Sequence, residues 1–181
     1  MSERVFNFSP GPAVLPVEVV ETARDNLLNY QDSGIGLMEM SHRGPQFTEI
    51  INTTEASLRE LLSIGEDYAV VFAVGGASSQ FSMVPMNLMR GTGKPAAYLL
   101  TGSWGNHARK EALKEGQVHI VWDGKECNYD RLPAPEELHL EPNAAYMHMT
   151  SNETIQGVQF ATEPETGGVP LVCDASSDFL S

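Results

Sequence analysis

Apolar residues recur at the spacing of an α-helix in the first third of the chain. After Pro16, which suits a first helical position, apolar side chains return every three or four residues as far as Tyr30. The segment 32–36, Asp-Ser-Gly-Ile-Gly, ends this predicted helix. A second and clearer helix is predicted where six apolar residues share one face: Phe47, Ile50, Ile51, Leu58, Leu61 and Leu62.

From Tyr68 onwards, short apolar runs alternate with segments of helical spacing. Five strands are predicted, namely Tyr68–Val74, Ala96–Thr101, Gln117–Trp122, Ala144–Met149 and Val169–Cys173. Helices are predicted after the first two strands, one ending at Met89 and one running through Lys114, and a short acidic helix over Leu132–Leu140. This alternation indicates an α/β fold with a mainly parallel sheet flanked by helices.

The composition narrows the class of protein and its partners. At 181 residues, with 41% hydrophobic residues, the chain is long enough for one domain with a sizeable core. Its formal net charge of −13 argues against nucleic acid or an anionic membrane as a partner. It has no signal segment before Arg4 and no apolar stretch long enough to span a bilayer.

The two cysteines, Cys127 and Cys173, have neither the spacing of metal ligands nor the density of a disulfide scaffold. We therefore expect a reducing, cytoplasmic setting and no metal site. Because Cys173 lies in an apolar run, we expect it to be a small buried apolar residue.

Two turns between a predicted strand and a predicted helix carry candidate binding residues. The first, Gly75 to Gln80, includes Ala77 and Ser78. Small residues let a backbone approach a ligand closely, and N–H groups at a helix start attract anions. This segment is therefore either a phosphate loop or a tight turn, and it matches neither a dinucleotide fingerprint nor a Walker loop. Trp104, in the second turn, is either a packing aromatic or a flat surface for a ring.

Three further segments carry polar candidates. Thr154 follows the fourth predicted strand, where it either caps a turn or bonds a polar ring substituent. Asp174 follows the fifth, where a carboxylate caps a helix or holds a cation or a protonated ring nitrogen. His42 and Arg43 precede the second helix, and a guanidinium binds carboxylate or phosphate through two parallel hydrogen bonds. A solvent-facing arginine is the common alternative.

The four strand-end turns with Ala77, Trp104, Thr154 and Asp174 converge if the sheet is parallel, because ligands of such sheets sit at the carboxyl ends of the strands. Together they offer phosphate donors, a stacking surface, a hydroxyl and a carboxylate. A matching ligand is a flat, phosphorylated heteroaromatic with a basic ring nitrogen. Pyridoxal 5'-phosphate fits this description.

Several ordered motifs then identify a resemblance that covers essentially the whole chain. They are Phe-Asn-Phe-Ser-Pro-Gly-Pro-Ala-Val-Leu-Pro at 6–16, Met-Glu-Met-Ser-His-Arg-Gly at 38–44, Gly-Gly-Ala-Ser-Ser-Gln-Phe at 75–81, Asn-Ala-Ala-Tyr-Met-His at 143–148, and Asn-Glu-Thr-Ile-Gln-Gly at 152–157. With these motifs the chain closely resembles the phosphoserine aminotransferases. The resemblance implies a fold-type-I aminotransferase, a homodimer, and amino-group transfer between glutamate and 3-phosphohydroxypyruvate that gives O-phosphoserine and 2-oxoglutarate in serine biosynthesis.

The resemblance also implies roles for single residues. Ala77 and Ser78 would bind the cofactor phosphate, Trp104 would stack on the pyridine ring, Thr154 would bond its 3-oxygen, and Asp174 would pair with its nitrogen. His42 and Arg43 would contact anionic groups of the substrate. Some family members carry an arginine at the position of Ser78, where it helps to bind the substrate phosphate.

Family members continue past the position of Ser181, through the Schiff-base lysine and into a small domain. We therefore expect an irregular segment over 1–15 and a partial cofactor-binding large domain over 16–181, without the C-terminal small domain and without activity on its own. None of the four lysines (Lys94, Lys110, Lys114 and Lys125) matches the family's lysine motif. The alternatives are a related aminotransferase for another oxo acid and a non-catalytic fragment or pseudoenzyme that binds a partner subunit.

Overall fold

The computed structural model of the protein describes residues 4–9 and 11–181. Residues 1–3 and Pro10, which are part of the predicted irregular segment over 1–15, lie outside these residues. The chain divides into two compact units, Met1–Ala73 and Val74–Ser181. Every residue predicted to contact a cofactor belongs to the C-terminal unit, whereas His42 and Arg43 belong to the N-terminal one.

Helices make up the regular structure of the N-terminal unit: α1 over Val17–Asp25, a 3-10 turn over Tyr30–Asp32 and α2 over Pro45–Leu62. α2 begins with Pro45. Proline lacks an N–H, but an N–H at this first helical position would have no intrahelical partner, so nothing is lost. The helix ends before Ser63, which has a left-handed φ of 53°. Both predicted helices are confirmed. α1 stops at Asp25 instead of Tyr30, and the next side chain, Asn26, donates a hydrogen bond to the Thr22 carbonyl.

The C-terminal unit is built on a parallel sheet. Its elements are α3 (Ala77–Leu88), β1 (Ala96–Leu100), α4 (Ser103–Ala112), β2 (Val118–Asp123), β3 (Met147–Thr150), β4 (Asn152–Glu153), β5 (Val158–Gln159) and β6 (Leu171–Asp174), with 3-10 turns at Gly124–Cys127 and Pro135–Glu137. The four-stranded sheet has the order β2-β1-β3-β6, and every adjacent pair is parallel. β4 and β5 form a separate antiparallel pair. The predicted α/β fold is therefore confirmed. Among the described helices, none is long and apolar enough to cross a membrane.

Successive residues of β1 point to opposite faces of the sheet and supply two apolar clusters. Tyr98 and Leu100 are buried with residues of α3 and α4, and the Tyr98 hydroxyl lies 2.9 Å from that of Tyr146. Ala97 and Leu99 are buried on the other face with residues of β2 and β3. Because both faces are covered, all five residues of β1 are buried.

The predicted strand over Tyr68–Val74 is wrong. Residues 69–73 have no regular structure, and Val71 and Val74 are 78% and 94% exposed. A strand needs a hydrogen-bonded neighbour, and within the described part of the chain no strand pairs with this segment. The apolar run is genuine, but apolar character alone does not supply the pairing.

Two smaller expectations are also corrected. Cys173 is exposed instead of buried, because β6 is one of the two edge strands of the described sheet and has a neighbour on one side only. The acidic helix predicted over Leu132–Leu140 is reduced to the 3-10 turn Pro135–Glu137. Pro133 and Pro135 restrict the residues before them to extended conformations, which prevents a longer helix.

Candidate active site at the sheet edge

The carboxyl ends of β1, β3 and β6 meet at one edge of the sheet. The register pairs Tyr98 with His148, and Thr150 with Asp174, so these strands finish at similar heights. The residues that follow them carry Trp104 and Thr154. Three of the predicted site segments therefore leave the sheet at the same edge.

Asp174 closes β6 and lines a cavity of about 280 Å³. Residues of α3, β3 and the loop after β6 form its walls, among them Ala77, Phe81 and His148. One carboxylate oxygen, Oδ1, accepts hydrogen bonds from the backbone N–H of Ser176 at 3.1 Å and from its hydroxyl at 2.6 Å. These bonds fix the carboxylate at the end of the strand.

His148 lies inside the sheet beside this cavity and was missed by the sequence reasoning. Its ring stacks on Tyr98, with centroids 4.9 Å apart and planes at 17°, and meets Phe81 edge-on at 6.1 Å. It is 3% exposed, and its Nδ1 atom has no hydrogen-bond partner among residues 4–9 and 11–181. Burial lowers the pKa of His148 to about 4, although the negative charge of Asp174 acts in the opposite direction. The imidazole is therefore neutral at physiological pH.

Ser78 and Trp104 line a second cavity, of about 210 Å³, between α3 and α4. His107, Lys110 and Phe81 also line it, so Phe81 borders both cavities. The Trp104 ring is partly buried against the core and lies 5.5 Å from the His107 ring at a tilt of 58°. This arrangement combines an aromatic surface with a hydroxyl and two nitrogen-bearing side chains.

Glu153 is the second residue that the sequence reasoning missed. It is fully buried, and its two carboxylate oxygens accept separate hydrogen bonds from the backbone N–H groups of Trp104 (2.9 Å) and Gly105 (2.8 Å) in the first turn of α4. Burial raises the pKa of Glu153, while these two hydrogen bonds act in the opposite direction. The sequence shows Glu153 inside the Asn-Glu-Thr motif, but only the folded structure shows that its side chain is buried.

Thr154 follows β4 directly and lies in the turn between β4 and β5. Its hydroxyl donates to the Ser177 hydroxyl at 2.8 Å, and the Asn152 amide donates to that hydroxyl at 3.0 Å. The turn with Thr154 is thereby tied to the loop that follows Asp174. Thr154 is exposed, which leaves its side chain accessible from solvent.

The structure thus groups the predicted residues in a definite way. Ala77 shares the first cavity with Asp174, Ser78 shares the second with Trp104, and Thr154 contacts the loop after Asp174. In the N-terminal unit, His42 and Arg43 are exposed, and the Arg43 N–H donates to the Ser41 hydroxyl at 3.2 Å. Their role as substrate contacts stays a prediction.

The sequence of this chain is similar to those of known aminotransferases. A model of the family described as aminotransferase class-V matches residues 5–181. A phosphoserine aminotransferase of Rhodopirellula baltica is 53% identical over 179 residues, which cover 98% of this chain and 48% of that protein. One of Niallia circulans is 48% identical over 181 residues, covering 100% of this chain and 50% of that protein. The chain spans about half the length of these curated relatives.

Two solved structures that resemble this chain are also those of phosphoserine aminotransferases. The phosphoserine aminotransferase of Bacillus circulans subsp. alkalophilus superposes with a TM-score of 0.90 at 47% identity, covering 95% of this chain and 47% of that one. The PLP-bound phosphoserine aminotransferase of Trichomonas vaginalis gives a TM-score of 0.86 at 35% identity, covering 94% of this chain and 50% of that one. These similarities confirm the resemblance inferred from the sequence motifs.

Proposed function

Because the chain belongs to the class-V aminotransferase family, we propose that the carboxyl edge of its sheet binds pyridoxal phosphate for an amino-group transfer. The observation that carries this proposal is the cavity at the end of β6. There, Asp174 and the buried Nδ1 atom of His148, which has no partner in the part of the chain that the structure describes, lie beside the start of α3. A buried nitrogen without a partner is costly, and it favours a site that a polar ligand or water completes.

The residues present fit this group. The backbone of Gly75 has a φ of +96°, which favours glycine, and a Cβ atom on Gly76 would meet nothing within 4 Å, so the segment before α3 leaves open space. No side chain of the described residues caps the N-terminus of α3. Free N–H groups at the start of a 12-residue helix favour a phosphate, and Ser78 adds a hydroxyl.

Each site residue then has a distinct task. Ala77 and Ser78 hold the phosphate, Trp104 contacts the ring face, Thr154 bonds the 3-oxygen, and Asp174 keeps a proton on the ring nitrogen. Pyridoxal phosphate, when bound, supplies the electron sink that lets an amino acid lose its α-proton. The Asp174 carboxylate stabilises that sink because its negative charge favours the protonated ring nitrogen.

We further propose that the protein carrying this chain is a cytoplasmic homodimer that transfers the amino group between glutamate and 3-phosphohydroxypyruvate in serine biosynthesis. The names of the relatives support this reaction. His42 and Arg43 would then contact an anionic group of the substrate, because a guanidinium offers paired donors to carboxylate or phosphate.

An assay of the protein that carries this chain tests the reaction. We expect glutamate-dependent conversion of 3-phosphohydroxypyruvate, with a kcat/KM well above that for glyoxylate. Arg43→Lys keeps the charge but loses the paired donors, so KM for the phosphorylated substrate should rise while kcat changes less. Arg24→Lys is the matched control, since Arg24 is an exposed arginine of the same unit that pairs with Asp25. A preference for glyoxylate would contradict the assigned substrate.

A further inference from the structure

The motif Gly102-Ser-Trp-Gly105 and the motif Asn152-Glu-Thr-Ile-Gln156 fit together in space although about fifty residues separate them. The Glu153 carboxylate accepts the N–H groups of Trp104 and Gly105. Gln156 adds a second pair of bonds, because its side-chain oxygen accepts the Ser103 N–H at 3.2 Å and its amide donates to the Ser103 hydroxyl at 2.9 Å. Three successive N–H groups at the start of α4 are thereby satisfied by the hairpin of β4 and β5.

The close fit explains the glycine at position 102. A Cβ atom there would lie 2.5 Å from the Gln156 side-chain oxygen and 2.6 Å from Cδ of Glu153. At Gly105 it would lie 3.3 Å from Glu153 Oε1. Both positions are therefore small because Glu153 and Gln156 occupy the adjoining space.

We propose that Glu153, assisted by Gln156, is a positioning residue that fixes Trp104 relative to Thr154 so that both reach one aromatic ligand. The proposal rests on the proposed function, in which Trp104 contacts the ring face and Thr154 bonds a ring oxygen. Glu153 immediately precedes Thr154 and binds the backbone of Trp104. It therefore links the two predicted ring contacts through one buried side chain, and its carboxylate acts on them through the backbone of α4.

The arrangement makes the carboxylate hard to replace. Glu153→Gln keeps one acceptor oxygen, which can bind one of the N–H groups of Trp104 and Gly105. It places an NH₂ donor against the other of these two N–H groups. One buried N–H then loses its partner, which destabilises the first turn of α4 and loosens Trp104. The glutamine preserves the volume of the side chain, so packing stays close to that of the original.

Single-tryptophan versions of the full chain provide the test. The chain has two tryptophans, so Trp122→Phe leaves Trp104 as the reporter. In this background we expect Glu153→Gln to lower the fluorescence anisotropy of Trp104 and to weaken pyridoxal phosphate binding by about tenfold or more. Gln156→Ala should shift both readouts in the same direction by a smaller amount, which keeps the test open should Glu153→Gln fold poorly.

Two controls separate positioning from general loss of structure. Glu137→Gln changes another carboxylate that accepts a backbone N–H, from Ala134 at 2.7 Å, and should leave both readouts unchanged. In a Trp104→Phe background, the Trp122 emission should not respond to Glu153→Gln. Unchanged Trp104 anisotropy, or unchanged affinity despite altered anisotropy, would overturn the positioning role. Failure of the unsubstituted chain to bind pyridoxal phosphate would instead overturn the proposed function, and this inference with it.

Discussion

Replacing the buried His148 with phenylalanine should make the C-terminal unit less sensitive to acid. Burial lowers the pKa of His148 to about 4, whereas an unfolded histidine titrates near 6.5. Between these values the unfolded state binds a proton that the folded state does not. Stability contributed by the neutral ring is therefore complete above the unfolded pKa and is lost as the pH falls towards the folded one.

The size of this effect follows from the two pKa values. At about 1.4 kcal/mol per pH unit, the full interval from 6.5 to about 4 amounts to about 3 kcal/mol. Between about pH 7 and about pH 5, where most carboxylates stay ionised, the loss should be about 2 kcal/mol. Phenylalanine retains an aromatic ring against Tyr98 and Phe81 but cannot take up the proton.

Urea denaturation at both pH values measures the effect. Trp104 and Trp122 both lie in the C-terminal unit, so their fluorescence reports the unfolding of that unit. We expect the original chain to lose about 2 kcal/mol more than His148→Phe on acidification. His139→Gln, a change at an exposed histidine, should lose as much as the original. Equal losses in the original and in His148→Phe would refute the reasoning.

Two further substitutions test contacts near the site by the free energy of unfolding. Tyr98→Phe leaves the buried Tyr146 hydroxyl without its partner and should cost about 1–3 kcal/mol, with part of the loss recovered when Tyr146 is also changed to Phe. Gly102→Ala places a methyl group 2.6 Å from Cδ of Glu153 and should cost about 1–3 kcal/mol through overpacking. Ordinary surface substitutions change the free energy of unfolding by about 0.5 kcal/mol or less. A change this small in Tyr98→Phe or in Gly102→Ala would contradict the importance of the contact that the substitution tests.

The pattern of apolar residues predicted the four strands of the parallel sheet and the helices α1 to α4, because strand and helix periodicities are local properties of the sequence. The strands over Ala96–Thr101, Gln117–Trp122 and Val169–Cys173 were each found with ends shifted by one or two residues. The strand over Tyr68–Val74 failed because pairing depends on a neighbour elsewhere in the chain. The predicted burial of Cys173 is wrong for a related reason, since the sequence does not reveal which strand lies at the edge of the sheet.

The residues of the candidate site also divide into those that the sequence could predict and those that it could not. Asp174, Trp104 and Thr154 could be proposed because residues at the ends of parallel strands meet at one edge. Glu153 and His148 could not be assigned, because a buried carboxylate and a buried imidazole are recognised by what surrounds them. Glu153 gains its importance from two N–H groups of α4, and His148 from its stacking on Tyr98.

Titration of the chain with pyridoxal phosphate tests the central claim most directly. Binding is followed by cofactor absorbance and tryptophan quenching, in the original chain and in two variants. Asp174→Asn removes the charge that holds the ring-nitrogen proton and should weaken binding by about tenfold or more, whereas Asp178→Asn, in the loop that follows β6, should not. Saturable binding that is weakened by Asp174→Asn and unchanged by Asp178→Asn is the predicted result. No saturable binding, or equal affinity in all three chains, would contradict the assignment of the site.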